Sequence, residues 1–252
     1  DVSVPKLTGR PMSQGFRSEN ISERLEWRFS EKFDVYARGN LYDHNTKRPQ
    51  LASYYTQKAT KDKETGETTY TYTPKQAYTY DMHHQSYNVG AGARWTPNKN
   101  THVYLDIYND NFNSEYDYWQ TLDVEAYSES RKRTHYWNET LKGIFKLNSW
   151  NKLSGGVELV QENLKSVSDN IESESMNTSN LFAQDEIQIC NMLEAVAGFR
   201  YTHNSNFGSH FTPNAALFFH AGGFRLRASY AGGYLTPTLS QLYAADQAKT
   251  ND

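Results

Sequence analysis

The 252-residue sequence has a single cysteine, Cys190, so no disulfide can form within the chain and a disulfide-stapled scaffold is excluded. No stretch approaches the roughly 20 consecutive apolar residues that a membrane-spanning helix needs. The formal net charge is -3, without the basic excess of a general nucleic-acid binder, so we expect no nucleic-acid partner. Residues 1–5 have neither the basic nor the apolar part of a secretory signal peptide. We therefore expect a chain that is either mature from Asp1 or an internal piece of a longer one.

Catalytic and metal-binding motifs are missing as well. The sequence contains no G-x-S-x-G, no H-E-x-x-H, no phosphate-binding loop and no C-x-x-C pattern. We therefore expect neither an enzyme nor a resident metal or cofactor.

Aromatic residues, in contrast, are abundant: they make up 14% of the chain and include 19 tyrosines. Tyr has an apolar body and a polar tip, which suits a membrane interface and also a soluble glycan-binding surface. In the clearest pattern, Phe224, Leu226 and Tyr230 alternate with polar residues that include Arg225 and Arg227. A period of two predicts a strand whose two faces meet different media. Lipid on one side and a wet interior on the other would produce this pattern.

The same alternation recurs and predicts an antiparallel meander of about ten long strands. The predicted strands cover residues 24–29, 33–41, 87–95, 102–108, 137–147, 153–159, 181–189, 193–201, 214–219 and 224–230. One position departs from the pattern, because Asp185 falls on the apolar row of its strand. The polar stretches 43–77, 111–133 and 165–178 are predicted to be loops, and residues 1–20 are predicted to be irregular.

Short and longer connections alternate along this meander. The short ones are residues 30–32, 96–100, 149–151, 190–191 and 221–223. Bacterial outer-membrane barrels have short periplasmic turns and longer outer loops. If the short connections are the periplasmic turns, the first strand runs inward and the tenth runs outward. A complete barrel of this type normally has both ends in the periplasm. We therefore predict an internal segment of a larger barrel. The same strand directions argue against a ten-stranded outer-membrane protease.

The stretch that follows the last predicted strand resembles a family sequence, G-[FY]-x-x-P-[ST]-L-x-[EQ]-L-[FY]. The matching residues are Gly233, Tyr234, Pro237, Thr238, Leu239, Gln241, Leu242 and Tyr243, and Leu235 stands where the family usually has arginine. Upstream lie F-A-Q-D-E-I, A-G-F-R-Y-T-H-N-S-N-F-G, T-P-N-A-A-L-F-F and F-R-L-R-A-S-Y. Together these segments resemble consecutive barrel strands of TonB-dependent outer-membrane receptors for siderophores, haem and cobalamin. The close likeness covers residues 180–243.

The resemblance implies an all-β fold in which the chain is an internal segment of a transmembrane barrel of about 22 strands. On this basis we expect residues 1–20 to be an outer loop or lead-in and residues 21–234 to be barrel strands and loops. Residues 235–252 would begin the next outer loop. The plug domain of the family is not recognisable in this sequence.

The function implied by the resemblance is TonB-dependent binding and import of a scarce nutrient, a ferric siderophore, haem or cobalamin, in the bacterial outer membrane. The implied partners are the receptor's own plug domain and remaining barrel strands, the membrane lipid, the nutrient, and the TonB complex acting through parts outside this chain. The alternative is a soluble, secreted all-β module that binds a ligand or glycan and buries its alternating apolar residues in a sandwich core.

Histidine and aromatic residues near the predicted outer ends of the strands are candidate ligand-binding residues. They are Tyr78, Tyr80, His83 and His84 at the third strand, and Tyr116, Tyr118 and Trp119 beyond the fourth. His and Tyr can ligate haem iron, but solvated loop histidines beside an interfacial tyrosine belt are the alternative. The later aromatic group could stack on a planar or glycan ligand or anchor the chain at the interface.

An acidic cluster also lies at the top of the fourth strand. It comprises Asp106, Asp110, Asn111, Asn113, Glu115 and Asp117. Oxygen-rich loops can hold calcium, and the resemblance to cobalamin receptors makes calcium an option. The spacing lacks the glycine and terminal glutamate of a calcium loop, so we expect a solvated acidic loop without a metal.

Arginines recur on the predicted wet face. They are Arg38, Arg94, Arg200, Arg225 and Arg227. We expect a polar wall in which these side chains are partly paired with acids of the plug or of neighbouring strands. The functional alternative is a basic path for an anionic cargo, for which Arg200, Arg225 and Arg227 are the candidates.

Overall fold

The structure, a computed structural model, describes residues 15–48, 54–61, 68–76, 78–120 and 128–243. Twelve β-strands contain most of these residues. They are β1 Gly15–Ser30, β2 Phe33–Arg48, β3 Tyr54–Lys61, β4 Thr68–Gln76, β5 Tyr78–Asn98, β6 Thr101–Gln120, β7 Ser128–Lys146, β8 Asn151–Ser166, β9 Ile171–Cys190, β10 Leu193–Asn204, β11 Gly208–Ala221 and β12 Phe224–Ala231. The described chain ends in a single helical turn at residues 239–243.

Ten of the strands form one sheet in the order β1-β2-β5-β6-β7-β8-β9-β10-β11-β12, and β3 and β4 form a separate pair. Hairpin neighbours pair antiparallel, as β8 with β9, β10 with β11 and β11 with β12. The predicted all-β meander of ten long strands is therefore confirmed. β1 and β12 stand at the two edges of the sheet.

The five short connections also lie where the alternation predicts them. They are residues 31–32, 99–100, 147–150, 191–192 and 222–223. Gly222 has a φ of 58° in the last of them. Glycine adopts this left-handed conformation without the strain that a side chain would add, which allows the tight turn between β11 and β12.

The loop predictions were too long. β2 continues to Arg48 inside the predicted 43–77 loop, and the β3–β4 hairpin occupies much of the remainder. β6 and β7 together take most of the predicted 111–133 loop, β9 begins at Ile171 inside 165–178, and β1 begins at Gly15 inside the irregular lead-in. Backbone pairing does not need a hydrophobic face, so strands with polar residues on both faces persist where the alternation signal disappears.

The chain divides into two compact units. The first unit comprises Asp1–Asn20, Tyr42–Gln85 and Asn113–Lys132. The second unit comprises Ile21–Leu41, Ser86–Phe112 and Arg133–Asp252.

In the second unit, large apolar side chains occupy alternate positions and are exposed. Those that exceed a third of their full exposure include Leu25, Trp27, Phe29, Leu41, Val89, Trp95, Leu105, Leu141, Val157, Leu159, Leu181, Phe199, Phe211, Leu217, Phe219 and Leu226. Cross-strand partners share a face, and the register pairs Val157 with Leu181 and Phe219 with Leu226. These rows form the apolar face of the second unit, and the intervening residues form its polar face.

Few hydrophobic residues are buried. Within the described ranges they are Leu164, Ile171, Met176 and Leu239. A soluble sandwich would bury its alternating apolar rows, so the second unit is not organised in that way. A continuous exposed apolar face is typical of a surface that contacts lipid or a partner. None of the described residues forms a helix that is long and apolar enough to span a membrane.

Asp185, the residue that interrupts the apolar row of β9, has a local partner. Asn151 of β8 donates from Nδ2 to both carboxylate oxygens of Asp185, at 2.7 and 2.8 Å. The two side chains are diagonal neighbours because Asn151 pairs with Ile187 and Leu153 with Asp185. Hydrogen bonding to the charged carboxylate offsets part of its cost on an otherwise apolar row.

Candidate ligand-binding site

On the polar face of the second unit, long side chains lie across glycines of the neighbouring strand. Tyr36 of β2 donates a hydrogen bond to the carboxylate of Asp106 on β6, and Arg38 Nη2 lies 3.1 Å from Asp106 Oδ1. Strand β5 lies between β2 and β6 in the sheet. A Cβ atom at Gly92 would overlap the Tyr36 ring, and a Cβ atom at Gly90 would lie 2.8 Å from Arg38 Nε. Glycine at these two positions therefore lets β2 side chains reach across β5.

The predicted site residue Arg200 belongs to a second polar-face network. Its guanidinium forms an ion pair with Glu158 and donates from Nε to Asn180 Oδ1 at 3.1 Å. Asn180 and Asn138 also donate to the two oxygens of Glu158, at 3.1 and 3.3 Å. Each of these side chains therefore has a partner within the sheet. Arg200 is placed to stabilise the contacts between β8, β9 and β10.

Arg225 and Arg227 differ from the other three arginines predicted for the wet face, Arg38, Arg94 and Arg200. Arg38 pairs with Asp106 and Arg94 pairs with Asp34, while within the described residues neither Arg225 nor Arg227 has a carboxylate partner. Both stand on the edge strand β12, where Arg227 lies 4.9 Å from the centroid of the Phe218 ring. A basic path along these two residues stays a prediction.

In the first unit, five aromatic side chains from three strands follow one another. They are Tyr42 and His44 of β2, His84 of β5, and Tyr116 and Tyr118 of β6, and we call them the aromatic row. Successive ring centroids are 6.1, 6.5, 5.7 and 6.3 Å apart. The phenol oxygen of Tyr116 lies 3.2 Å from Nε2 of His84. The structure thus brings together three predicted site residues, His84, Tyr116 and Tyr118.

The aromatic row also contains residues that the sequence interpretation missed. Tyr42 and His44 fall at the start of the stretch predicted to be a polar loop. Their alternation continues that of Arg38 and Asn40 along β2, and this was the available signal. Phe16 stacks on His44 with ring centroids 5.9 Å apart. Nδ1 of His44 is buried and has no hydrogen-bond partner among the described residues, while its Nε2 lies 2.6 Å from Thr46 Oγ1.

His83, the neighbour of His84, contacts a different set of residues. Its Nε2 lies 2.8 Å from Asp43 Oδ2, and its Nδ1 lies 3.9 Å from Glu115 Oε2. Arg131 pairs with Asp117 at 2.8 Å and lies 3.8 Å from the same Glu115 oxygen. Successive strand residues point to opposite faces, so the His83-His84 pair cannot act as two ligands on one side. The predicted acidic cluster is also corrected, because its residues lie in strand β6 rather than in a loop.

The environment of His84 favours its neutral imidazole. Burial is the main cause that lowers the pKa of His84, and the electrostatic effect of the nearby His44 and His83 lowers it further. His84 lies beyond the roughly 10 strand residues next to the short turn that would cross a membrane. A neutral imidazole can donate or accept a hydrogen bond.

Three predicted site residues are described only by their backbone. Tyr78 and Tyr80 lie at the start of β5, and Trp119 lies at the end of β6. Their side chains lie outside the described part of the structure, so their roles stay predictions. Within the described ranges, no group of three or more His, Cys, Asp or Glu side chains is arranged to hold a metal ion.

Solved structures with a similar fold include receptors and transporters. The ferric enterobactin receptor PfeA from Pseudomonas aeruginosa has a TM-score of 0.69 and 16% identity, over 95% of this chain and 36% of that one. The siderophore receptor PirA from Acinetobacter baumannii has a TM-score of 0.59 and 16% identity, over 94% and 36%. The ferric citrate transporter FecA has a TM-score of 0.58 and 12% identity, over 94% and 39%. At these identities the likeness establishes the fold, and this chain spans little more than a third of each structure.

Sequence comparison supplies the family. A search of curated protein sequences found no significant match. The model of the TonB dependent receptor-like β-barrel, in contrast, matches residues 10–252. The chain therefore belongs to the TonB-dependent receptor β-barrel family, whose members lie in the outer membrane of Gram-negative bacteria.

Proposed function

We propose that this chain forms part of the barrel wall and outer ligand-binding surface of a longer receptor that imports a ferric siderophore in a TonB-dependent way. The family consists of transport proteins rather than enzymes. The similar structures include a ferric enterobactin receptor, a siderophore receptor and a ferric citrate transporter, and also a peptide importer. The proposed partners are a plug domain, the remaining barrel strands, the TonB complex and the nutrient.

The aromatic row carries this proposal. Its five rings lie on three neighbouring strands, with centroids 5.7–6.5 Å apart. Aromatic pairs favour stacked or edge-to-face contacts at such separations, so a ligand with planar rings can extend the row. Imidazole and phenol groups add hydrogen bonds to the oxygen atoms of such a ligand. A siderophore with aromatic iron-chelating groups combines these features.

Haem is the second candidate, and one observation favours it. The lowered pKa of His84 favours the neutral imidazole that iron ligation requires. His44 and Tyr116 flank His84 in the row. His83 does not contribute, because it is directed to the opposite face and contacts Asp43.

Ligand titration of the whole receptor tests the proposal. We would titrate the purified receptor with a ferric catecholate, ferric citrate, haem and cobalamin, and follow fluorescence quenching and the visible absorbance spectrum. We expect a ferric catecholate to bind. Replacing both His84 and Tyr116 by Ala should weaken binding by about tenfold or more, from the loss of two aromatic contacts. Tyr230→Ala, on the apolar face, is the matched control and should leave Kd unchanged.

The outcomes separate the candidates. A Soret shift on addition of haem, lost in His84→Ala, would establish haem in place of the siderophore. Binding that is unchanged in the double variant would exclude the aromatic row as the site. Uptake by cells with and without TonB then tests the transport step, and uptake that continues without TonB would contradict it.

A further inference from the structure

The segment after the last strand folds back onto the preceding hairpins, and we call residues 232–243 the clasp. Beyond β12 the chain leaves the ladder, and Gly232 N donates to the carbonyl oxygen of Pro213 at 2.8 Å. The Tyr234 ring then stacks on His210 of β11, with centroids 3.7 Å apart and an angle of 20° between the rings. The clasp therefore passes over β11 before its helical turn begins.

The helical turn of the clasp is fixed by a reciprocal cap. Thr238 N donates to Gln241 Oε1 at 3.0 Å, and Gln241 N lies 3.3 Å from Thr238 Oγ1. Leu242 N also donates to the Thr238 carbonyl oxygen at 3.0 Å. A Thr and a Gln spaced in this way satisfy each other's free backbone N–H groups at a helix start. The local sequence thus sets the direction in which the next residue, Leu239, projects.

Leu239 fills an apolar pocket made by other parts of the chain. It is 5% exposed and packs with Leu164, Ile171 and Met176 of the β8–β9 hairpin. Phe207, from the turn between β10 and β11, packs against the same cluster. The Tyr243 phenol donates to Glu174 Oε2 of β9 at 2.5 Å. The clasp therefore contacts the outer ends of two hairpins at once.

We infer that the clasp locks the tips of the β8–β9 and β10–β11 hairpins to each other. Its cluster comprises all the buried hydrophobic residues that the described ranges contain, whereas elsewhere the wall exposes its apolar side chains. Between the tips themselves the recorded hydrogen bonds include Ser205 N to the Asn177 carbonyl oxygen at 2.9 Å and Asn177 N to Ser205 Oγ at 3.1 Å. Docking of Leu239 adds to these hydrogen bonds an apolar contact that both tips share. This role does not depend on which ligand the receptor imports.

Hydrogen exchange of the whole receptor in detergent tests the clasp. Leu239→Ala empties the pocket, and Leu235→Ala is the matched control because Leu235, in the same segment, is 93% exposed. We expect backbone amides of residues 164–177 and 204–207 to exchange about tenfold faster in Leu239→Ala and unchanged in Leu235→Ala. Amides of residues 181–189, at the other end of β9, should keep their protection. Tyr243→Phe, which removes one hydrogen bond, should give a smaller change at the same tips.

Two results would overturn the inference. One is unchanged exchange at the tips in Leu239→Ala. The other is equal acceleration at the tips and at residues 181–189, which would mean that Leu239 stabilises the wall as a whole. If Leu239→Ala does not assemble, Leu239→Val, which removes less of the side chain from the pocket, replaces it, and the same comparison of tips with residues 181–189 decides.

Discussion

The two units are built from the same kind of strand, but their side chains meet different surroundings. In the second unit the apolar face exposes Trp27, Val89, Leu105 and many similar residues, and the opposite face carries ion pairs. In the first unit, among the side chains that the structure describes, Phe16 is the exposed large hydrophobic residue. Apolar and polar residues thus alternate only where the two faces of a strand meet different media, and a strand can form without this alternation.

The difference extends to the contacts that hold each unit together. The second unit places long polar side chains over glycines and connects strands through the networks around Asp106 and Glu158. The first unit has the aromatic row on one side of its strands and the ion pairs of His83 and Arg131 on the other. Polar networks on the face opposite the apolar rows therefore connect the strands of the second unit, whereas aromatic contacts and ion pairs connect those of the first.

The largest expected effect comes from placing a charge on the apolar face. Val157→Arg should destabilise the receptor by about 2–4 kcal/mol, because a guanidinium near the middle of the bilayer loses its hydration. Gln85→Arg, at an exposed position of the first unit, should change the free energy of unfolding by less than about 0.5 kcal/mol. Urea unfolding of receptor folded into lipid vesicles measures both. Equal effects of the two substitutions would contradict the claim that the side chains of the two units meet different media.

The next effect concerns the glycines of the polar face. Gly92→Ala forces a Cβ into the Tyr36 ring and should cost about 1–3 kcal/mol through overpacking. Gly223→Ala is the control, because a Cβ there has no atom within 4 Å and the residue is not in the left-handed region. Unfolding of the two variants in the same lipid gives the comparison. If Gly92→Ala is as stable as the control, Tyr36 is not held across β5.

A smaller effect is expected from the Arg200–Glu158 pair. The two side chains are 46% and 24% exposed, so water screens the pair and Arg200→Met should cost about 1 kcal/mol. A double-mutant cycle with Glu158→Gln isolates the coupling between them. The more exposed pair of Lys152 and Glu186 should show weaker coupling. Coupling near zero for Arg200 with Glu158 would instead leave Arg200 available for cargo.

The smallest effect is a pH dependence confined to the first unit. Because the pKa of His84 is lowered in the folded chain, the unfolded chain binds the proton more readily, and stability should fall as the pH drops below about 6.5. We expect backbone amides of residues 81–85 to lose protection between pH 7.5 and 5.5, and His84→Gln to reduce that loss. Amides of residues 153–159 in the second unit provide the internal comparison. Equal loss in both regions would point to a global acid effect.

Sequence reasoning succeeded where the media on the two sides of a strand differ. The alternation at Phe224–Tyr230 and its counterparts correctly predicts the ten strands of the sheet, together with all five short turns. It failed at the β3–β4 hairpin and at the polar ends of β2, β6 and β7, because backbone pairing leaves no hydropathy signature there. His83 and His84 point to opposite faces because side chains alternate along a strand. The sequence predicts this once β5 is known to include both residues.

The candidate site was only partly predictable for a different reason. His84, Tyr116 and Tyr118 were recognised by residue type, but His44 and Tyr42 join them only through the pairing of distant strands. The clasp shows the same limit. The sequence predicts the end of the last strand at residue 230, one residue from its end at Ala231, whereas the pocket for Leu239 is made by residues more than 60 positions earlier in the chain.

The most direct test of the account is a scan of solvent accessibility along β5 of the whole receptor in outer-membrane lipid. Nitroxide labels would be placed singly at residues 86–89, 91 and 93–95, leaving out Gly90 and Gly92, where a side chain would overlap its neighbours. Their collisions with oxygen and with a water-soluble nickel complex would be measured. We expect a period of two, with oxygen favoured at residues 87, 89, 91, 93 and 95 and nickel at residues 86, 88 and 94. Accessibility without this period, or equal access of nickel to both rows, would contradict the central claim that the second unit separates lipid from a wet interior.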